Sequence, residues 1–402
     1  MPTLLQINIT ANWGSHGRIA EQLGSLVKKE GWSSYLAYGR WCNPSESKLI
    51  RIGSLCDEYL HVFSSRCFDN HGLSSRLSTA RFIEVIKTIH PDVIHLHNIH
   101  GYYVNYPLLF NYLIESNTPV IWTLHDCWPI TGHCSHFMHS GCDKWKTGCY
   151  DCVEIKEYPK SFFIDRSSRN YSLKKQFFTS LDKLTLVPVS NWLDSVICDS
   201  FLSQTPSVCI HNGINLKQFR YIKNSKASLK LDRHYIILAV ANKWTKRKGI
   251  EDVLELRNQL DENYLIVIVG VDNKTKKNLP PGLVGITRTN SIDQLAEYYS
   301  AADVFINPTY EDNFPTTNIE ALACGTPVIT YNTGGSGEAI DGDTGIIVKT
   351  GDIASMKNAI ELICKEWSSE SVSMLCRQRA DRLFNADTQY RKYINLYYSV
   401  LK

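Results

Sequence analysis

The sequence predicts an α/β protein built of two doubly wound domains. Short apolar, β-branched runs alternate with amphipathic stretches, and that alternation restarts after a polar interruption. With 43% hydrophobic and 21% charged side chains the composition is that of an ordinary globular protein, and 402 residues are more than one core usually organises.

In the first half the strand-like runs are residues 4–9, 34–38, 93–97, 120–125 and 184–189. Residues 18–29 and 80–89 lie between them with helical patterning, the mark of parallel strands joined by crossover helices. Ser190-Asn191-Trp192 reads as a helix start. Residues 207–214 form one more strand-like run punctuated by Asn212-Gly213, and a polar Lys/Ser stretch to Asp232 follows. The second half repeats the pattern, with strands at 235–241, 265–270, 283–287, 304–307, 327–331 and 345–349 and helices at 249–260, 292–300, 317–324 and 354–365.

The expected division is therefore a first domain of residues 1–210, a second of 211–385 and a terminal helix of 386–402 packed across them. In that helix Tyr390, Tyr393, Ile394, Leu396, Tyr397 and Val400 recur at helical spacing, the pattern of a core stripe rather than a ligand site. Ligands of such sheets bind outside the carboxyl ends of the strands, here in a cleft that opens and closes about Asn212-Gly213.

Charge and hydropathy exclude several classes. A net charge of +3 and a pI near 8.1 are too mild for a general nucleic-acid binder. The first nine residues lack a signal peptide's basic flank and apolar core and read as an opening strand, so a cytoplasmic location is expected. No apolar run approaches the roughly 20 residues that span a bilayer, which leaves peripheral contact with the cytoplasmic membrane face as the expected mode of any membrane association.

The densest chemical pattern lies at residues 307–338. Asn307-Pro308-Thr309-Tyr310-Glu311-Asp312-Asn313-Phe314-Pro315 is a strand-to-loop transition, followed by a helix carrying Glu320. A loop carboxylate, Glu311 or Asp312, can accept hydrogen bonds from sugar hydroxyls, and Glu320 can grip both hydroxyls of a ribose. The backbone N–H groups of Phe314, Pro315's successor Thr316, and Thr317 lie at a helix N-terminus, which suits anionic or hydroxyl-rich ligands. Gly325-Thr326-Pro327-Val328-Ile329 then turns into a buried strand, and Thr333-Gly334-Gly335-Ser336-Gly337-Glu338 forms a glycine loop. Taken singly, these acids would read as surface groups capping a helix; their order in a strand-loop-helix context favours a site.

This stretch resembles the second domain of the retaining glycosyltransferases called family 4, of GT-B architecture. That family carries two glutamates separated by seven residues, then A-x-A/S-x-G-x-P-V-I and a Gly-Gly loop. Glu320-Ala-Leu-Ala-Cys-Gly-Thr-Pro-Val-Ile and Gly334-Gly335 match it; seven positions intervene between Asp312 and Glu320, and Glu311 sits one place earlier. The resemblance implies two Rossmann-like domains, a nucleoside-diphosphate sugar donor held by the second, and Glu311 or Asp312 beside the transferring sugar.

The run Asn242-Lys243-Trp244-Thr245-Lys246-Arg247-Lys248-Gly249 follows the first strand of the second domain. Fixed cations there can stabilise the charge growing on a departing diphosphate without a metal. The family has an arginine five residues before a Lys-Gly pair; Lys243 and Lys248-Gly249 stand at those places.

In the first domain, Asn12-Trp13-Gly14-Ser15-His16-Gly17 is a glycine-containing loop entering a helix, and the family resemblance puts Gly14 and Gly17 against the donor. His95 and His97 share one face of a strand and read as structural, with residues 98–103 as an acceptor-side loop. The strand at 120–125 delivers His125 and Asp126 to its end; the resemblance makes His125 the first-domain residue nearest the transferring sugar, with Asp126 orienting it. An insertion at about 127–152 carries Cys134, Cys142, Cys149 and Cys152. Cys149-x-x-Cys152 has zinc-knuckle spacing, so three readings stand: four thiolates on a structural zinc, buried reduced cysteines, or a redox pair. The insertion resembles a cysteine-bearing branch of family 4 associated with surface-polysaccharide assembly of the colanic acid, capsule and O-antigen type.

The expected reaction moves a hexose-type sugar from a nucleoside diphosphate to a hydroxyl of a saccharide or lipid-linked saccharide, with retention and without a catalytic metal or other catalytic cofactor. Two alternatives are a nucleotide-sugar epimerase of the same architecture and a non-catalytic nucleotide-sugar-binding partner subunit.

Overall fold

The computed structural model describes residues 1–231, 235–367 and 370–401. Asp232, where the polar stretch ends, lies outside them. The chain divides into two compact units: unit 1 is Met1–His211 with Tyr390–Lys402, and unit 2 is Asn212–Gln389.

Unit 1 holds β1 (Thr3–Asn8), β2 (Ser33–Tyr38), β3 (Lys48–Arg51), β4 (Val93–Leu96), β5 (Val120–Leu124) and β6 (Leu184–Pro188). They form one parallel sheet in the order β3-β2-β1-β4-β5-β6. Unit 2 holds β7 (Tyr235–Val240), β8 (Tyr264–Val269), β9 (Leu283–Ile286), β10 (Val304–Asn307), β11 (Val328–Tyr331) and β12 (Gly345–Val348), again parallel, in the order β12-β11-β10-β7-β8-β9. Each sheet starts at its centre, grows one way for three strands, then returns to the centre and grows the other way. This is the doubly wound order expected, and its switch points lie between β1 and β4 and between β7 and β10.

The strands are continuous apolar runs because helices cover both faces of a parallel sheet. In unit 2, Ile237, Ala239, Ile266, Ile268, Val304, Ile306 and Ile329 are buried against Val253 and Leu256 of one helix and Met356, Ile360 and Ile363 of another. Each such aliphatic side chain contributes about 1.5–3 kcal/mol on burial.

Three departures from the sequence reading have physical causes. Strand β3 was not expected: Lys48-Leu49-Ile50-Arg51 is an edge strand, exposed or half-buried throughout, with no buried face to print an alternation. Residues 207–214 do not form a strand. They run beside β6 on one side only, with the N–H groups of Val208 and Ile210 donating to Leu186 and Pro188, and make single bridges to Leu186 and Asn385. Strands β4 and β5 stop one residue short of their apolar runs, so that His97 and His125 stand just past the strand ends.

The last helix, Ala386–Val400, is divided between the units. The Ala386 N–H donates to Ile214 O within unit 2. From Tyr390 onward it belongs to unit 1, where Tyr393 and Tyr397 are buried and their hydroxyls meet Thr123 Oγ1 at 3.0 Å and His95 Nδ1 at 2.7 Å. The tyrosine stripe is core, as its spacing implied.

Candidate functional site

In unit 2 the two central strands end side by side, and the loops leaving them bring the sequence-predicted residues together. After β7 the chain makes a single turn, Lys246–Lys248, and Gly249 reverses it at φ +75°. A Cβ on Gly249 would stand 2.1 Å from Pro308 O, so only glycine lets this turn lie against the start of the loop after β10. The two loops are then tied together: Tyr310 N–H donates to Arg247 O at 2.9 Å, and Arg247 Nη1 donates to Glu311 O at 3.3 Å.

This seating places Lys248 Nζ 2.6 Å from Asp312 Oδ2, with both side chains about three-quarters buried. Glu311 is 4% exposed and its carboxylate lies 3.9 Å from Arg247 Nε. Phe314 is buried against Phe384, Pro315 caps the helix Thr316–Ala323, and Thr316 and Thr317 begin it half-buried. Lys243 lies exposed in the turn after β7. Glu320 accepts from Tyr299 OH at 3.0 Å.

Several residues that sequence reasoning missed hold this end of the sheet in shape. Asp252 accepts from the hydroxyls of Tyr310, at 3.0 Å, and Tyr331, at 2.5 Å. Burial and the neighbouring carboxylate push the Tyr310 phenol up to about 12, so it stays a donor at neutral pH. Asn318 bridges Asn307 and Ser336 O, tying the strand end to the glycine loop. Asp252 lies three residues after the Lys-Gly pair on an amphipathic helix, a spacing that reads as an ordinary solvated acid until the fold brings two tyrosines over it.

In unit 1 the corresponding strand ends carry histidines. The helix begins at Gly14 itself, φ +68°, so Gly17 lies inside it and not in a loop. A Cβ there would meet Thr10 Oγ1 at 2.6 Å, so the glycine lets the helix lie against the turn that follows β1. His16, in the helix's first turn, has its Nδ1 3.0 Å from Asn8 Oδ1. Burial lowers its pKa to about 4.

His97 joins the ends of β1, β4 and β5. Gln6 Nε2 donates to Ala20 O, which turns its Oε1 toward His97 Nε2 at 3.1 Å; His97 Nδ1 lies 3.2 Å from His125 Nε2. An amide oxygen only accepts, so His97 carries its proton on Nε2 and its Nδ1 accepts from His125 Nε2–H. Burial holds both rings well below the ordinary histidine value. His97, expected to be purely structural, thus fixes the tautomer of His125. Asp126, expected to orient His125, is bonded elsewhere: its Oδ2 lies 2.7 Å from His100 Nε2 and its Oδ1 accepts from Trp128 N–H. The aspartate is thus held by the loop, on the His100 ring and on the first N–H of the turn Trp128–Ile130.

Cys134, Cys142, Cys149 and Cys152 line one cavity in unit 1, and all thirteen cysteines are free thiols. Among the described residues no three His, Cys, Asp or Glu side chains are already gathered in a metal-holding arrangement.

The family match falls on the same half of the chain, whereas the similar proteins extend over the rest of it to differing degrees. Residues 222–379 match the family described as Glycosyl transferases group 1. Unit 2 therefore carries a group 1 glycosyl transferase domain, and by that domain the protein is a glycosyltransferase. Over nearly its whole length the chain is similar to a glycosyl transferase named for colanic acid biosynthesis, WcaC of Escherichia coli (strain K12), 22% identical over 98% of this chain and 99% of the other. It is also similar to the capsular polysaccharide biosynthesis glycosyltransferase CapM of Staphylococcus aureus, 24% identical over 54% of this chain and 62% of the other. The fold is that of the sucrose-phosphate synthase of Thermosynechococcus elongatus, with a TM-score of 0.72, 19% identity and coverage of 100% and 99% of the two chains. The expected GT-B class of two α/β domains is thereby established.

Proposed function

We propose that the protein transfers a hexose-type sugar from a nucleoside-diphosphate sugar to a hydroxyl of a saccharide or lipid-linked saccharide, with retention at the anomeric carbon, during assembly of a surface polysaccharide. The observation that carries this reading is the Lys248–Asp312 pair at the switch point of the unit 2 sheet, beside the N-terminus of the helix Thr316–Ala323. A cation held on a carboxylate, next to a helix N-terminus, is a place where a diphosphate exchanges one set of partners for another.

In the proposed complex Lys248 turns from Asp312 to the diphosphate, with Lys243 reaching it from the preceding turn. Charge growing on the leaving group is met by these fixed ammonium groups, the work a catalytic metal does elsewhere. Asp312, released and more accessible than Glu311, accepts hydrogen bonds from the sugar. Glu311 stays buried and braces the loop against Arg247. Glu320, fixed by Tyr299, takes the ribose hydroxyls. His125, fixed through Nε2 on His97, is the unit 1 group that meets a sugar hydroxyl in this reading. Names of the similar proteins support the polysaccharide context, and the place of work proposed is the cytoplasm, with peripheral contact at the membrane face where the acceptor is lipid-linked.

The test is a panel of nucleotide sugars scored for thermal stabilisation, followed by turnover with and without saccharide acceptors. Stabilisation by one donor and release of nucleoside diphosphate only with acceptor support the proposal. Interconversion of donor sugars without acceptor would establish the epimerase instead. Binding with no release of nucleoside diphosphate under any acceptor would leave the partner-subunit reading.

A further inference from the structure

Between β5 and the helix Ser167–Phe178 the chain runs about forty residues with only two single 3₁₀ turns, Trp128–Ile130 and Lys144–Lys146. Connections of that length without structure of their own are uncommon in compact domains and need something to hold them. Here the four cysteines converge. Cys134, Cys142, Cys149 and Cys152 face one cavity of about 20 Å³, room for a single ion or water, walled by Phe137 stacked on Trp145 at 4.9 Å. The Cys134 and Cys152 thiols are hydrogen-bonded to each other, and Gly132 N–H donates to Cys149 Sγ at 3.1 Å.

A second observation points to a ligand. The His133 side chain lines the same cavity with no exposed surface; its Nδ1 is 2.6 Å from Asp69 Oδ1, and its Nε2 has no partner. Asp69 is in turn fixed by Arg166 N–H on its other oxygen. A buried ring nitrogen left unsatisfied beside four thiols is costly unless a charged centre comes to it. The buried Lys174 side chain, bonded to the carbonyls of Trp128 and Thr131, stands behind the same loop.

We propose that Cys134, Cys142, Cys149 and Cys152 form a structural site for a soft divalent cation of the zinc class, with His133, held by Asp69, as the outer group that meets the thiolates. Four S–H bonds break and four sulfur–metal bonds form; one proton passes to His133 Nε2, whose Nδ1–H stays on Asp69, and three leave to solvent, and no electrons change hands. The centre so formed carries two net negative charges, which the Gly132 N–H and the protonated His133 offset. Binding draws the sulfurs inward by side-chain rotation from the thiol arrangement, where they are not yet at ligand distances. The metal takes no part in sugar transfer; it closes a loop that emerges directly after His125.

The experiment is elemental analysis of the full chain expressed in zinc-supplemented medium and passed over a chelating resin. About one zinc per chain is expected, with none in the Cys149→Ser/Cys152→Ser double variant and full content in the exposed Cys198→Ser control. Should the double variant fail to fold, titration of the wild-type protein with an organomercurial in the presence of a zinc dye gives the second reading, release of the metal in step with thiol modification. Less than a tenth of an equivalent in the wild-type protein, a full equivalent in the double variant, or a Cys134–Cys152 disulfide in its place overturns the proposal. Metal content is read without donor or acceptor, so its failure is distinct from failure of the glycosyltransferase reading.

Discussion

Units 1 and 2 share one strand order yet place opposite chemistry at the carboxyl ends of their strands. In unit 2 the ends of β7 and β10 carry charges paired one to one, Lys248 on Asp312 and Arg247 near Glu311. In unit 1 the ends of β1, β4 and β5 carry neutral rings, with His16, His97 and His125 all held below the ordinary histidine range by burial. The difference separates two ways of building a polar site inside an apolar fold. Paired charges are held ready for a charged ligand, whereas linked neutral rings fix donors and acceptors for hydroxyls. Mutations in unit 2 are therefore expected to act on donor charge and mutations in unit 1 on proton position.

The strongest way to break the comparison is Lys248→Ala. Removing one fixed charge from a developing anion typically costs a factor of about 10²–10³ in rate, and that loss in kcat/KM is expected here, measured as nucleoside diphosphate release against donor concentration. A loss under threefold would remove Lys248 from the donor site and with it the contrast between the units. Next in size is Gly249→Ala. With φ at +75° and a Cβ 2.1 Å from Pro308 O, the substitution combines left-handed strain with a backbone clash. A destabilisation of at least about 2 kcal/mol is expected, confined to the unfolding step of unit 2 in a denaturant titration. Unchanged unfolding would show that the two loops are not locked together.

Acid should separate the units in the other direction. Six histidines of unit 1 have folded-state pKa values below the unfolded value of 6.5: about 4 for His16, about 3 for His61 and His95, and lower than normal for His71, His97 and His125. The unfolded chain therefore binds protons that the folded unit refuses. Their contribution is fully present above pH 6.5 and is lost as pH falls toward 4, by about 1.4 kcal/mol per pH unit for each histidine. Calorimetry from pH 7 to 5 should lower the transition of unit 1 faster than that of unit 2. Parallel shifts would show that the rings are hydrated and protonate freely.

How far the sequence made these two sites legible follows from the same contrast. Glu311, Asp312, Glu320 and the glycine loop lie within one stretch of chain, so their spacing alone could be read, and Lys248-Gly249 was marked by its place after the first strand of the half. The unit 1 site is assembled from β1, β4 and β5, with Gln6, His97 and His125 far apart in sequence, and no linear pattern shows that Gln6 sets a tautomer two strands away. His125 was visible because it ends an apolar run; Asp126 was misread because adjacency suggested a pair, whereas successive side chains leaving a strand point to opposite sides. The alternation of runs marked the sheets well, apart from β3, whose exposure leaves no pattern to find, and residues 207–214, which run beside β6 without forming a strand.

The smallest effect is the most specific. Tyr299, from the helix Ile292–Ala301, donates to Glu320 Oε2 at 3.0 Å and is wholly buried. Its phenol is pushed well above its usual value by burial and by that carboxylate, so it acts only as a donor. Tyr299→Phe keeps the ring and removes one hydrogen bond, worth about 1 kcal/mol, or roughly a fivefold change in an equilibrium constant. Glu320, proposed to take the ribose hydroxyls, would then lose the hydroxyl that steadies its Oε2. A donor KM raised roughly fivefold with kcat unchanged is the expected outcome, because the ribose does not change between ground and transition states. A fall in kcat with KM unchanged would put Glu320 at the reacting sugar and move the boundary between binding and chemistry within unit 2.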